Sequence, residues 1–399
     1  MIQYILFTML VVATPFVVVT KFLQGAVYKI SHLSFTVLGL SLPFVAAAAV
    51  LLLVATVIWQ RKNITPRRIA GALVVVGMIA WSQWLQDLYG GMSVYDLQKN
   101  WHYVAYTAYV FMFFRTFHMR GVSKSKMILA SFFSAIALST FDEFFQLKMS
   151  NRIFDVSDIA KDSWGAMMGL ILVLFVSETY GRVELGKHSI RQKRLGDYSR
   201  APLAALTITG VCSLSAVMIS PLLTDQRYAL LVLLLTFCVS AVGMLVVHFS
   251  QIRGMRIAFA AIAALVIVPL GGSVLMHRNT FINYNTYNLT VYKGIPIPFF
   301  DLLIYPDGMP RLVDKKHFFN NQDKQFLLGQ EPSILLMGSG AEGNGGRGFK
   351  ESEEPHFMFN KETMKETQII ILKTPQACEV FNRLKREGKN VLFVLHNSC

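Results

Sequence analysis

The sequence predicts an all-α polytopic membrane bundle followed by a C-terminal soluble α/β domain. Hydrophobic residues make up 53% of the 399 residues and charged residues 16%, whereas soluble domains carry about 25% charged residues. Apolar runs that suit transmembrane helices, which need about 20 residues each, recur as far as residue 276. Beyond that point short apolar strands alternate with turns and a helix, which is typical of an α/β domain.

Nine apolar runs predict about nine transmembrane helices. These runs are 2–20, 35–59, 69–88, 100–117, 127–146, 160–177, 202–222, 228–249 and 257–276. The first run lacks the basic start and the small-residue cleavage site of a signal peptide, so we interpret it as a helix.

Loop charges predict the orientation of the membrane part. Residues 1–276 hold 23 Lys and Arg against 11 Asp and Glu, a balance of +12. The basic residues concentrate in alternate loops, such as those after residues 59, 117, 177 and 249. Because such loops face the cytoplasm, we expect a multi-pass protein of the cytoplasmic membrane with its N-terminus inside. Nine crossings then place the C-terminal domain outside.

The expected partner of this basic part is the lipid bilayer, whose inner face is anionic. A nucleic-acid partner is not predicted, because no basic stripe follows a polar helix or sheet. The four cysteines form no CxxC pair, which disfavours a zinc ribbon.

The C-terminal part predicts strands around one helix. Apolar strand-like segments occupy 288–292, 296–305, 333–337, 368–372 and 390–396. The helix is predicted to begin at Thr374 and Pro375, which suit the start of a helix, and to end at Gly388.

Polar residues gather near one end of three predicted membrane helices. Five of the 11 acidic residues of the membrane part fall within 142–162. Residues spaced by three, four or seven positions share a helix face, and three such sets occur. They are Lys99, His102 and Tyr106; Asp142 and Gln146; and Asp158, Asp162, Gly165 and Gly169. Glu143, Arg152 and Asp155 lie among them. The two glycines predict close packing of a neighbouring helix.

Two interpretations of this polar site remain open from the residues alone. It is either a set of ion pairs that stabilises the bundle, or a binding site for a charged headgroup or a cation. Lys99 and Arg152 suit phosphate oxygens. No cofactor is predicted, but Asp142, Asp158 and Asp162 are ligands of the kind that a divalent cation prefers.

The catalytic residues are unknown at this point. His102 beside a carboxylate suits a general base, but no nucleophile stands out, so we lean towards a protein that is not an enzyme. A metal-dependent membrane enzyme acting on phosphate-bearing lipid is the alternative. A transporter is disfavoured because most of the predicted helices lack polar residues near their centres.

The membrane part resembles the VanZ-like membrane proteins over about residues 70–178. The resemblance rests on KNWHYVAY from Lys99, DEFFQ from Asp142, Arg152, and DVSDIAKDSWGAMMG from Asp155. Two positions depart from the family pattern, since Gln98 replaces an aspartate and Asp162 replaces an asparagine. The resemblance implies a cell-envelope protein that affects susceptibility to teicoplanin-type glycopeptides. From the polar site itself we expect recognition of a lipid-linked or cell-wall headgroup at the outer membrane face.

The C-terminal part resembles a second family, over about residues 280–399. Its features are the loop GSGAEGNGG from Gly338 and the segment LKTPQACEVFNRLKREGKNV from Leu372. This uncharacterised family includes a mitochondrial complex I assembly factor, and the resemblance implies a compact layered domain without assigned catalysis.

The Gly-rich loop itself has two interpretations. It is either a flexible surface loop or a small-ligand pocket, because glycines after a strand let backbone N–H groups approach an anion. The residues of such a pocket would be Gly338, Ser339, Gly340, Thr374 and Asn382.

Together these features predict four regions. They are N-terminal transmembrane helices over 1–68, a VanZ-like four-helix domain over 69–178, three further transmembrane helices over 179–279, and the soluble α/β domain over 280–399.

Overall fold

A computed structural model gives the fold of the protein. It describes residues 1–18, 26, 29–30, 33–37, 40–45, 47–48, 51, 64–83, 97–146, 156–184, 194–220, 229–298, 300–313, 327–328, 331–345, 356–360 and 364–397. Packing divides the chain into two compact units. The first is Met1–Pro221 with Gln226–Gln251, and the second is Leu222–Asp225 with Ile252–Cys399.

The first unit is built mainly of apolar helices. They are α1 (Ile2–Val18), α2 (Pro66–Gln83), α3 (Leu97–His118), α4 (Lys124–Gln146), α5 (Val156–Ile171), α6 (Pro202–Ile219) and α7 (Ala229–Phe249). Helix α5 continues directly into a π-helix over Leu172–Ser177. A short 3-10 helix, Leu195–Ser199, precedes α6.

Five of the described helices are long and apolar enough to cross a membrane. They are Lys124–Phe145, Val156–Ser177, Pro202–Ile219, Ala229–Phe249 and, in the second unit, Arg253–Met276. The predicted number of nine is not confirmed. Helices α2 and α3 occupy the predicted runs 69–88 and 100–117, but they are not among the five.

The predicted transmembrane helix over 35–59 is wrong at its start. Strands β1 (Ser34–Val37) and β2 (Leu40–Pro43) form an antiparallel pair there, with Ser34 opposite Pro43. Segments of only four residues within this run cannot be assigned to helix or strand by periodicity alone, and the β-branched Thr36 and Val37 favour a strand. Most of the rest of this run lies outside the described residues.

Helix α5 lies at the centre of the first unit and packs against α3, α4 and α6. The most apolar stretch of the helical segment Val156–Ser177 is 83% buried in the protein, whereas that of α7 is 11% buried. The core around α5 includes Tyr109 and Phe114 of α3, Phe132 of α4 and Leu170 of α5 itself. Most side chains of α5 therefore contact other parts of the protein, and its polar residues can find hydrogen-bond partners there.

The second unit begins with helix α8 (Arg253–Met276) and continues into two sheets. The smaller sheet is antiparallel and consists of β3 (Ile282–Thr286), β4 (Leu289–Tyr292) and β5 (Ile295–Pro298). The larger sheet has the order β7-β6-β11-β8-β10-β9. Its strands are β6 (Asp301–Ile304), β7 (Pro310–Val313), β8 (Ile334–Gly338), β9 (His356–Phe359), β10 (Glu366–Leu372) and β11 (Val391–Leu395).

The centre of the larger sheet is parallel, because β8 pairs in parallel with both β10 and β11. Helix α9 (Thr374–Arg386) packs on one face, where Phe381 contacts a core that includes Leu336 and Phe393. The opposite face buries Leu335 and Leu392 in a second core. Burial on both faces explains why these strands read as continuous apolar runs in the sequence.

The predicted strands 333–337, 368–372 and 390–396 correspond to β8, β10 and β11, and the predicted helix corresponds to α9. The predicted strand 296–305 is instead two strands, β5 and β6. Strands β3, β7 and β9 were not predicted. They are only four or five residues long, and β3 (INYNT) has too few apolar residues to stand out.

Candidate functional site

The candidate site lies at the start of α5, where two aspartates occupy one helix face. Asp158 lies in the first turn, where the helix dipole favours a negative charge. Asp162 follows one turn later and is only 3% exposed. A buried carboxylate is costly unless other groups hydrogen-bond it, so the partners of Asp162 define the site.

Asp162 connects three helices through its two carboxylate oxygens. His102 Nδ1 of α3 lies 2.9 Å from Oδ1. Ser139 of α4 donates a hydrogen bond of 2.6 Å to Oδ2. The sequence analysis did not identify Ser139, although it precedes Asp142 by three positions and so shares its helix face.

Asp158 carries the second set of contacts. Lys161 donates a hydrogen bond of 2.7 Å to Asp158 Oδ1, although the lysine itself is only 2% exposed. The other ring nitrogen of His102 lies 3.8 Å from Asp158 Oδ2. The imidazole thus lies between two carboxylates, an arrangement that favours the positively charged form of the ring.

Three further predicted residues border this group. Glu143 and Tyr106 are buried, and Asp142 is partly buried. Tyr106 lies within electrostatic range of Asp162, Asp142 and Glu143. The described side chains of the site therefore include four carboxylates but only one lysine and one histidine, so negative charge is in excess. We call this group (His102, Tyr106, Ser139, Asp142, Glu143, Asp158, Lys161 and Asp162) the polar site.

Helices α3 and α5 approach each other closely at Gly165 and Gly169. A Cβ atom on Gly165 would lie 2.9 Å from Cα of Tyr103, and one on Gly169 would lie 2.9 Å from Cβ of Val110. Thr107 also donates a hydrogen bond of 2.9 Å to the carbonyl oxygen of Gly165. The close contact brings His102 within reach of Asp162.

Four predicted residues cannot be placed. The side chains of Lys99 and Gln146, and residues Arg152 and Asp155 as a whole, lie outside the described part of the chain. Their proposed roles, including the contact of Lys99 and Arg152 with phosphate, stay predictions.

The divalent cation at Asp142, Asp158 and Asp162 also stays a prediction. Among the described residues, no group of three or more His, Cys, Asp or Glu side chains is arranged to hold a metal ion. Both oxygens of Asp162 already have protein partners, and so does Oδ1 of Asp158.

The Gly-rich loop after β8 is held by internal bonds. The position of a Cβ on Gly338 is 2.6 Å from the hydroxyl of Thr374. That hydroxyl accepts a hydrogen bond of 2.9 Å from Gly340 N and donates one of 2.7 Å to His396 O. Ser339 is buried and donates to the carbonyl oxygen of Leu372 at 3.0 Å. Thr374 thus packs against Gly338 and ties the loop to His396, and the small-ligand pocket at this loop stays a prediction.

Asn382 has a structural partner as well. Its side chain accepts a hydrogen bond from Ile282 N and donates one to Ile282 O, both at 2.8 Å. The side-chain amide therefore bonds both backbone groups of Ile282, as the backbone of a neighbouring strand would, and it connects α9 to β3.

The sequence analysis also missed a buried pair in the second unit. Asp301 hydrogen-bonds His396 Nδ1 through one oxygen and accepts a bond of 2.7 Å from Asn397 N through the other. These residues lie just beyond β11 and at the start of β6, and tertiary pairing alone brings them together.

Comparison with known protein families gives one match, which covers most of the first unit. Residues 4–177 match the VanZ/LLP1 family model, so the resemblance of the membrane part is confirmed. The match includes the polar site and begins at α1, whose Tyr4 hydroxyl lies 2.8 Å from that of Tyr109. No curated protein matches the chain.

One solved structure, that of a protein named MT938, is 19% identical and covers 30% of this chain and 99% of its own. Its TM-score of 0.24 is too low to support an argument about the fold, so the resemblance predicted for the C-terminal part stays a prediction.

Proposed function

We propose that this chain is a VanZ-like protein of the cell envelope whose polar site binds the headgroup of a lipid-linked or cell-wall molecule at the outer face of the cytoplasmic membrane. Binding there would alter susceptibility to teicoplanin-type glycopeptides. The family match over residues 4–177 supports the envelope role at the level of the family.

The observation that carries the proposal is the junction at Asp162. One buried carboxylate joins His102 of α3 and Ser139 of α4 to α5. Such a junction fixes the positions of three helix ends at once, which is what a preorganised binding site requires.

The charges of the site indicate the kind of headgroup. Carboxylates accept hydrogen bonds and do not donate them when ionised, and the described side chains hold more carboxylates than cations. A headgroup rich in hydroxyl, amide or amino donors, such as a sugar or a peptide amine, complements this surface.

The test is glycopeptide susceptibility in a sensitive Gram-positive host. Cells would carry the vector, the wild type, His102→Gln or Asp162→Asn, with membrane levels of each protein matched. Asp197→Asn is the matched control, because it makes the same chemical change at a carboxylate whose described ion pair, with Arg200, is exposed.

We expect the wild type and the control to raise the inhibitory concentration of teicoplanin and both site variants to lose that protection. Protection by the site variants equal to that of the wild type would remove the polar site from the function. A wild type without protection would refute the glycopeptide part of the proposal. Protection by the wild type that requires added Mg²⁺ would instead favour the alternative of a metal-dependent membrane enzyme.

A further inference from the structure

A second charged group lies at the other end of α5 from the polar site. The chain leaves the π-helix at Glu178, whose side chain is only 5% exposed and is surrounded by arginines. Glu178 Oε1 lies 3.3 Å from Nε of Arg67, and its Oε2 lies 3.7 Å from Nε of Arg68. Arg182 donates to Oε2 at 3.1 Å. We call Arg67, Arg68 and Arg182 the arginine cluster.

The cluster has more positive charge than its carboxylate balances. Three guanidinium groups share Glu178, the one carboxylate that contacts them among the described ion pairs. Lys124 adds a fourth cation, since its ammonium donates to the carbonyl oxygen of Arg182 at 3.0 Å. Within these described pairs, four cations stand against one carboxylate.

The backbone adds to this positive field. Arg67 and Arg68 lie in the first turn of α2, which contains no acidic residue. The start of a helix carries a partial positive charge, so cations there are unfavourable unless an anion is near. The cluster thus places two cations where the helix itself already favours an anion.

The arginines are held in fixed positions. Arg67 donates to the carbonyl oxygen of Val183 at 2.6 Å and stacks over the ring of Phe175 at 5.1 Å. Arg68 donates to the carbonyl oxygen of Ser177 at 3.3 Å. Glu178 itself has a left-handed backbone, with φ of 51°, which a non-glycine residue adopts at a cost. The ion pairs therefore fix a strained turn and the arginines around it.

Arg182 provides open donors at the rim. Its side chain is 69% exposed, and its bond to Glu178 uses Nε. In the part of the chain that the structure describes, no hydrogen bond to a protein acceptor involves its two terminal nitrogens. Guanidinium groups with free paired N–H donors match the oxygens of a phosphate.

We propose that the arginine cluster binds a phosphate group, either of an anionic lipid headgroup or of free phosphate. Glu178 is 20 residues beyond Asp158 on one continuous helical segment, a separation of about 30 Å at 1.5 Å per residue. That is about the thickness of the hydrocarbon core, so the cluster lies at the membrane surface opposite the polar site.

Loop charges predict that this surface is cytoplasmic, where anionic lipids are abundant. Glu178 acts here as a positioning residue, because it holds Arg67 and Arg68 side by side but does not itself contact the phosphate.

The experiment measures lipid retention by the purified full chain in a neutral detergent. Native mass spectrometry would count bound phosphatidylglycerol, with diacylglycerol, which has no phosphate group, as the reference lipid. A second arm adds inorganic phosphate as a competitor. The variant is Arg182→Gln, which removes the charge of a side chain that is 69% exposed. Arg200→Gln is the matched control, since Arg200 is 83% exposed and pairs only with Asp197 among the described ion pairs.

We expect the wild type and Arg200→Gln to retain phosphatidylglycerol in preference to diacylglycerol. Arg182→Gln should bind phosphatidylglycerol on the order of tenfold more weakly, because it loses one charge-assisted hydrogen bond. Competition by millimolar phosphate would show that the phosphate group suffices. Retention that phosphate does not affect would show that the lipid headgroup is the source. Equal retention of both lipids, or equal binding by Arg182→Gln and the wild type, would overturn the proposal.

Discussion

His102 and Asp162 form the hydrogen bond that joins α3 to α5, with 2.9 Å between Nδ1 and Oδ1. They are 60 positions apart in the chain, so the bond exists only in the folded bundle. The second oxygen of Asp162 accepts from Ser139 of α4. Because this one carboxylate is bonded to two other helices, the bundle should depend on it.

Replacing Asp162 with alanine should destabilise the bundle by about 3 kcal/mol, because His102 and Ser139 lose their partner in a buried place. Thermal unfolding of the purified protein in detergent would measure the change. Asp197→Ala is the control, and its exposed ion pair with Arg200 at 3.4 Å should be worth less than about 1 kcal/mol. Equal unfolding temperatures for the two variants would contradict the central role of Asp162.

Replacing Gly165 with alanine tests the close approach of α3 and α5. The added Cβ would lie 2.9 Å from both Cα and O of Tyr103, and these backbone atoms cannot move without shifting the helix. We expect a loss of about 1–3 kcal/mol from overpacking, together with weaker function at the polar site as His102 moves away from Asp162.

Gly77 provides the matched control in α2, because nothing lies within 4 Å of its Cβ position. Alanine is favoured over glycine in a helix by about 1 kcal/mol, so Gly77→Ala should leave stability unchanged or raise it. A result in which both alanine variants behave alike would show that the contact with Tyr103 is not limiting.

The sequence predicts the polar site better than it predicts the helix count. Carboxylates at membrane depth are rare enough to be noticed, and the spacing of Asp158 and Asp162 gives their shared face directly. Ser139 escapes notice because a serine in an apolar helix is common and carries no charge. The burial of Lys161 could not be predicted either, since it depends on which face of α5 the other helices cover.

The arginine cluster shows a different limit. In the sequence, Arg67 and Arg68 are explained as basic loop residues that set the orientation of the chain in the membrane. That interpretation does not predict an ion pair with a carboxylate. Their contact with Glu178 joins residues more than 100 positions apart in the chain. Likewise, the apolar start of the run 35–59 is compatible with a helix and with a hairpin, and only the pairing of β1 with β2 decides between them.

Replacing Thr374 with valine should destabilise the C-terminal domain, because the hydroxyl both accepts from Gly340 N and donates to His396 O. Valine keeps the shape but leaves these two buried groups without a partner, at a cost of about 2–4 kcal/mol. Thr374→Ser keeps the hydroxyl and should lose much less. Proteolysis of the full chain, followed over denaturant concentration, would measure both. If valine were tolerated as well as serine, the hydroxyl would not be what holds the Gly-rich loop.

Replacing Asn382 with alanine removes both bonds to Ile282 and should release β3 from α9. Because a backbone N–H and a carbonyl oxygen lose their partners together, we expect a loss of about 2–4 kcal/mol. Hydrogen exchange of the full chain would show the release of β3 as faster exchange of the backbone amides of residues 281–286. Arg383→Ala, at the neighbouring exposed position of α9, is the control and should leave that exchange unchanged.

Single cysteines at Met119 and Tyr287, each in a background without the four native cysteines, should lie on opposite sides of the membrane. Met119 is 86% exposed in the loop after α3, and Tyr287 is 62% exposed in the turn after β3. Five apolar helices long enough to cross the membrane lie between them, and an odd number of crossings changes the side. Loop charges place Met119 in the cytoplasm.

A membrane-impermeant maleimide should therefore label Tyr287→Cys in intact cells and Met119→Cys only after permeabilisation. Labelling in the reverse pattern would mean that the loop charges mislead about orientation and that the polar site faces the cytoplasm. Labelling of both positions under the same condition would mean that one of the five helices does not cross, because the number of crossings between them would then be even.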